Sequence, residues 1–357
     1  MKKVEDTPLY PPLFLILFYK KTSMQELLTD IRQLIAQARQ QVQRNINSTM
    51  VQTYWHIGKR IVEEEQQGQK RAKYATEMFK HLSEHLTHDF GRGFSTTNLK
   101  QMRQFYLTYS IRQFATDEFK TFPNPRISWT HYVFLMRLKD PNERAFYEIE
   151  TAQNMWDLKE LKRQFNAALY QRLALSRDKE GVKALSQVGW TIESPFDAIK
   201  DPYILEFLGL ETHPSYSEEE LETAIIDQLE AFLLELGKGF TFVARQKRIT
   251  FDEKHFHIDL VFYNRLLRAF VLIDLKIGEL EHADIGQMQM YVNYYDREMK
   301  LLDENRTVGI VLCRDKSNML VEYTLPEDNT QIFASQYDLV LPSKEDFIHV
   351  LKTSFGN

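Results

Sequence analysis

The 357-residue chain contains one cysteine, Cys313. No intramolecular disulfide can form, so nothing in its cysteine content points to secretion. It also lacks an apolar run long enough to span a membrane, which takes ~20 residues. The nearest approach is LFLILFY, from Leu13 to Tyr19. That run follows acidic and proline-bearing sequence and has no small-residue cleavage site, so it does not read as a signal peptide. There is no phosphate-binding glycine loop of Walker type, and ATP-driven action within the chain is not expected. Internal repeats and low-complexity tracts are absent too. What remains, with 43% hydrophobic and 27% charged residues, is the composition of a globular protein, expected in the cytoplasm. The length suits two domains.

The net charge of −5 is unevenly spread. Residues 24–180 hold 24 Lys and Arg against 18 Asp and Glu; residues 181–357 hold 17 against 30. A basic half attracts phosphate, whereas an acidic half repels it unless metal ions intervene. Both can equally be solvated faces.

A clean helical pattern begins at Met24, so residues 1–23 read as a disordered leader or a misassigned start. Residues 24–180 read as a helical, DNA-binding domain. One helix is expected from Met24 to near Asn45, with Leu27, Leu28, Ile31, Leu34, Ile35 and Ala38 on one stripe. A second covers Met50 to Gln66 and a third Tyr74 to His88. After Gly91-Arg92-Gly93 comes a fourth, capped by Ser95, with Leu99, Met102, Tyr106 and Tyr109 inward. Lys100, Gln101, Arg103 and Gln104 lie on this helix and are the candidates for DNA contact. Two helices joined by a glycine turn suggest a helix-turn-helix, although hairpins that only pack look the same. Two or three further helices are expected between Trp129 and Leu175, and residues 181–215 read as a linker.

From residue 216 the texture changes. Ser217 and Glu220 form a capping box for a helix carrying Leu221, Ile225, Leu229, Phe232 and Leu236 inward. Strand-like runs follow at Phe240 to Ile249, Phe256 to Tyr263 and Ala269 to Ile277, the last two joined as a hairpin by Asn264 to Arg268. A helix over Ile285 to Asp296 and a strand over Val308 to Cys313 complete an α-β-β-β-α-β order, a mixed sheet flanked by helices. A strand near Leu339 and a helix over Lys344 to Leu351 close the chain.

Asp274-Leu275-Lys276 ends the third strand run. Alternation puts Asp274 and Lys276 on one face, roughly 7 Å apart along the strand. Asp259 lies on the hairpin partner between Ile258 and Leu260. Carboxylates on otherwise apolar strands are costly unless they pair or bind metal. Two side by side suit Mg²⁺, and a lysine beside it can orient or deprotonate a water. The bare acid-x-Lys pattern is common here: it recurs at Glu118, Asp157, Glu160, Asp252 and Glu298. Only Asp274 ends an apolar strand, follows a hairpin partner with its own acid and precedes a helix bearing Gln287. A salt bridge from Lys276 to either aspartate explains the same pattern. His81, His85 and His88 have metal-binding spacing on a helix, or are a solvated face. His257 shares the face of Asp259 and can touch phosphate or only pack.

The stretches KDPYILEFLGL, LETAIIDQLEAFLLELGKGFTFVARQKRI, HIDLVFYNRLLRAFVLIDLKIG and IGQMQMYVNYYD, with YWHIGKRI, LSEHLTHDFGRGFSTTNLKQMRQFY and ISWTHYVFLMRLKDPNERAFYE before them, closely resemble the YhcG-type bacterial proteins. These pair an N-terminal helical domain of unknown function with a C-terminal PD-(D/E)XK nuclease domain. The resemblance covers nearly the whole chain from Met24. It implies a restriction-endonuclease-like domain over residues 216–357, with Asp259, Asp274 and the Leu275 carbonyl as metal ligands. Lys276 acts on the water, Glu222 is the outer acid and Gln287 supports the site. Ile258 stands in place of the motif's proline, and Asp274 where glutamate is more usual. Glu230, two turns after Glu222, can compete for its role.

Together these imply an Mg²⁺-dependent endonuclease, with Mn²⁺ able to substitute, acting on duplex or branched DNA and not on membranes. Homo-oligomers and an RNA substrate stay open. The rival is a nucleic-acid-binding or adaptor protein whose nuclease core no longer cuts.

Overall fold

The computed structural model describes residues 24–67, 72–110, 124–210 except 176 and 178, 216–341 except 252, and residues 343, 344 and 348. The leader over residues 1–23 lies outside these, as does most of the helix expected over Lys344 to Leu351. The chain divides into two compact units, residues 1–132 and 133–357.

In the first unit α1 (Met24–Gln67) is one helix of 44 residues, where two had been expected. Asn45 to Thr49 is polar apart from Ile46 but holds no glycine or proline, so nothing breaks the hydrogen-bond ladder. Its second half packs through Ile61 against α2 (Ala72–Phe90) and α3 (Thr96–Ser110), where Phe79, Leu99 and Met102 are buried. Phe105 is fully buried as well; it lies outside the expected inward stripe. Gly58 lets α1 approach α3, since a Cβ there would stand 2.0 Å from the Met102 carbonyl oxygen. Leu27, Leu28, Ile31, Leu34 and Ile35, in the first half of α1, face solvent.

Helix α4 (Trp129–Leu135) spans the division. Three helices follow before residue 176: α5 (Pro141–Asn154), α6 (Leu158–Asn166) and α7 (Leu169–Leu175). With α4 that is one more than the sequence pattern suggests. Asp140 and Asp157 cap α5 and α6, and left-handed residues Met155 and Ala168 break the run. The described part of the segment expected as a linker, residues 181–210, is built into the fold. It holds the end of α8 (Lys179–Val188), buried Trp190, α9 (Pro195–Ala198) and the short strand β1 (Tyr203–Ile204).

The division at residue 132, rather than 180, has an electrostatic basis. Glu235, fully buried on α11 (Leu229–Leu236), meets Arg172 at 2.8 Å, Arg163 at 3.2 Å and Lys200 at 3.9 Å, and accepts the Ile204 N–H at 3.0 Å. One carboxylate thus ties α6, α7 and β1 to the sheet domain. Burial alone would raise its pKa, but Arg172, Lys200 and Arg163 hold it down to about 2.

Helix α10 (Glu218–Asp227) starts at the expected capping box: Ser217 N–H donates to Glu220, and Glu220 N–H to Ser217 Oγ. The sheet is β1-β6-β5-β4-β3-β2, with β2 (Phe240–Phe251), β3 (Lys254–Asn264) and β4 (Ala269–Glu279) antiparallel, and β5 (Val308–Asp315) and β6 (Ile332–Asp338) parallel to β4. Helix α12 (His282–Tyr294) links β4 to β5, and α13 (Asn318–Thr324) links β5 to β6. Helices α10 and α11 cover one face over Leu260, Phe262, Val271, Ile273 and Leu275. Helix α12 covers the other over Val261, Leu272, Val311 and Cys313. The α-β-β-β-α-β order is the one the sequence implies. Among the described residues no helix is long and apolar enough to cross a membrane.

Candidate active site

Strands β3 and β4 pair from Asn264↔Ala269 to Leu260↔Ile273, and the ladder stops there. The next residues on the two strands are Asp259 and Asp274. Where a continuing ladder would use a backbone carbonyl, Asp259 Oδ2 instead accepts the Leu275 N–H at 2.8 Å. The hairpin opens at its two acids, and a carboxylate closes the gap.

Asp274 is 3% exposed. Its Oδ2 is ion-paired with Lys276 Nζ at 2.9 Å. Burial first, and then the charge of Asp259, push its pKa up to about 7 despite Lys276. Burial pulls the Lys276 ammonium down, but Asp274, with Glu218 and Asp284 behind it, outweighs burial and raises its pKa. Glu218 Oε2 is 3.7 Å from Lys276 Nζ.

Glu222 on α10 is 2% exposed, and Arg245 Nε is 2.9 Å from its Oε1. Gln246 Nε2 donates to Glu222 Oε2 and, at 3.0 Å, to Asp259 Oδ1. Glu230 is exposed. The helix breaks at Gln228, between Glu222 and Glu230. Gln287 Nε2 donates to the Tyr291 hydroxyl at 2.7 Å, which donates to the His257 carbonyl at 2.9 Å. Burial, and after it Asp274 and Asp259, raise the Tyr291 pKa, so this pair stands in the field of the two acids.

Asp259, Asp274, Lys276 and Glu222 are therefore brought together, with Gln287 linked to them through Tyr291 and the β3 backbone. Arg245, Gln246, Glu218 and Tyr291 are site neighbours that the sequence reading missed. Tyr291 was within reach, being one helical turn after Gln287. His257 is exposed, and only its carbonyl is engaged here. In the other unit Lys100 is exposed and lies 5.9 Å over the Phe79 ring, Arg103 Nε donates to Glu65 at 2.5 Å, and Gln104 donates to Thr108. The His81 and His85 rings lie 4.3 Å apart, tilted by 49°, while His88 meets Asp89.

The donor set suits a small, hard cation. A buried carboxylate paired with one lysine stands beside a second carboxylate that repels it. Among the described residues no three His, Cys, Asp or Glu form a ready cluster. A cation would draw on Asp259, Asp274, the Leu275 carbonyl and water, the oxygen ligands that a hard divalent cation takes.

Residues 196–352 match the YhcG PDDEXK nuclease domain and residues 30–172 the DUF1016 N-terminal domain. Over 348 residues the chain is 38% identical to the Escherichia coli (strain K12) protein named "Putative nuclease YhcG", covering 90% of this chain and 92% of that one. Among solved structures it is similar to a repair endonuclease from Pyrococcus abyssi (20% identity, TM-score 0.25, 36% of this chain and 50% of that one). It is also similar to a chain of the EndoMS-dsDNA2 complex (17% identity, TM-score 0.25, 38% and 48%). The chain belongs to the YhcG family, and its C-terminal part is a PDDEXK nuclease domain.

Proposed function

We propose that this protein is a divalent-metal-dependent endonuclease that hydrolyses phosphodiester bonds in DNA. The observation that carries the reading is the opened end of the β3–β4 hairpin, where Asp259, Asp274 and Lys276 meet. Asp259 and Asp274, with the Leu275 carbonyl, would hold the cation. When bound, it supplies Lewis-acid polarisation of the scissile phosphate and makes the attacking water more acidic. Lys276 keeps its proton beside Asp274, so it serves as a cation that orients water and faces the phosphate charge rather than as the base. Glu222, gripped by Arg245 and Gln246, is the outer acid. Gln287 and Tyr291 brace β3 from α12. Water attacks phosphorus and releases a proton to solvent, one P–O ester bond breaks, and the leaving oxygen takes up a proton from solvent.

The α3 residues Lys100, Gln101, Arg103 and Gln104 supply the duplex contact, with Lys100 the freest to reach phosphate because Arg103 is engaged by Glu65. A cleavage assay in Mg²⁺ and in Mn²⁺, on duplex, branched and single-stranded DNA with RNA alongside, tests the reading. The 2.9 Å Lys276–Asp274 contact is also what a purely structural ion pair would show. Absence of any cleavage by folded protein would therefore favour a nucleic-acid-binding role.

A further inference from the structure

Gln246 belongs to β2, a strand that contributes no acid to the site. The register Arg245↔Leu260 and Lys247↔Ile258 stands it opposite Asp259. Two features set it apart from an ordinary strand residue. Its φ is +46°, a left-handed conformation that residues with side chains rarely adopt inside a strand and that concentrates at functional sites. The alternation of β2 also slips here: Arg245 and Gln246 are both exposed, and Lys247 is half-buried. The backbone kink thus re-aims one side chain.

That side chain reaches two acids from different elements. One Nε2 donates to Glu222 Oε2 on α10 and to Asp259 Oδ1 on β3. The amide's orientation follows from its neighbours, because its oxygen in that place would face two carboxylates. Asp259 is then held at both oxygens, by Gln246 at Oδ1 and by the Leu275 N–H at Oδ2. Glu222 accepts from Gln246 at Oε2 and is ion-paired with Arg245 at Oε1. Neither carboxylate can swing freely, and the spacing between them is set by a single NH₂ group.

We infer that Gln246 is a positioning residue: its amide bridges Glu222 and Asp259 and presets both for a divalent cation. This rests on the metal-dependent reading above. Donors behind metal-ligating carboxylates typically change metal affinity or activity by about 10–100-fold when removed.

The test uses the full chain and two variants that share only the loss of the amide. Gln246→Gly suits the left-handed backbone and removes the side chain. Gln246→Met keeps the reach and removes the donors. Mn²⁺ binding without nucleic acid is followed by electron paramagnetic resonance, alongside metal-free melting and cleavage across Mn²⁺ concentration. Both variants should melt within a few degrees of wild type, bind Mn²⁺ about 10–100-fold more weakly, and recover most cleavage at high Mn²⁺. A folded Met variant with wild-type Mn²⁺ affinity and metal dependence would overturn the positioning role alone. Wild-type protein that takes up no Mn²⁺ would instead overturn the metal-dependent reading, and the role of Gln246 with it.

Discussion

Asp259 Oδ2 accepts the backbone N–H of Leu275, the middle residue of Asp274-Leu275-Lys276, at 2.8 Å. The bond joins the acid of one strand to the acid-x-Lys segment of the next at the point where their ladder ends. It lets the strands part without stranding a donor, and it fixes where Asp259 points. The opening that admits two like charges and the bond that closes it are thus one device.

The same crowding has a stability signature. Burial, and after it the charge of Asp259, push the Asp274 pKa up from its ordinary 3.8 to about 7. Between those values the folded state keeps a proton that the unfolded chain releases, so stability falls as pH rises and the full cost is present above about 7. Asp274→Asn should raise the metal-free melting temperature at pH 8, by a stabilisation on the order of a few kcal/mol. The gain should vanish near pH 4. Melts of both proteins across this range check it.

Glu235 behaves in the opposite sense. Its folded pKa is held down to about 2 by Arg172, Lys200 and Arg163, against burial. Its contribution is full above the ordinary value of 4.5 and is lost as pH falls toward 2. Glu235→Gln leaves three basic side chains around an uncharged group and should cost about 3–5 kcal/mol at neutral pH. Chemical denaturation of residues 133–357 within the full chain, followed at Trp190, reads this loss.

In the other unit, Gly58→Ala would press a methyl against the Met102 carbonyl. Backbone cannot yield as a side-chain end can, so the α1–α3 contact should loosen at a cost of about 1–3 kcal/mol. Hydrogen exchange across α3 should rise, while exchange in the sheet stays as it was.

The two basic residues of α3 should differ in their effect on DNA binding. Lys100→Ala should weaken metal-free duplex binding and lower the salt slope by about 1, as for one lost phosphate contact. Arg103→Ala should do less, since Glu65 already engages that guanidinium. Titrations at several salt concentrations separate the two; equal and negligible effects would remove α3 from the interface.

Local signals carried much of this into view from sequence. The capping box at Ser217, the turn from Asn264 to Arg268 and the apolar runs on either side are short-range patterns, and each element stands where they put it. Asp259, Asp274 and Lys276 were legible because strand alternation and hairpin pairing together predict their shared face. The rest depended on distant partners. Helices α5 to α8 belong with the sheet domain partly because Glu235 collects Arg163, Arg172 and Lys200, none of which is near it in sequence. Glu222 is drawn into the site by Arg245 and Gln246 of β2, far from it in sequence, whereas Glu230 is exposed. Gln246 depended on a positive φ that its residue type does not suggest.

The most direct test is cleavage of DNA by the full chain in Mg²⁺, comparing wild type with Asp259→Asn, Asp274→Asn and Lys276→Ala, each shown by melting to be folded. The account predicts cleavage by wild type and a loss of at least ~10²–10³ in rate for each variant, the cost of one missing electrostatic contact in the transition state. DNA binding should survive in all three, Mn²⁺ binding should persist in Lys276→Ala, and Glu222→Gln should show a milder defect. Full activity in both aspartate variants would contradict the account.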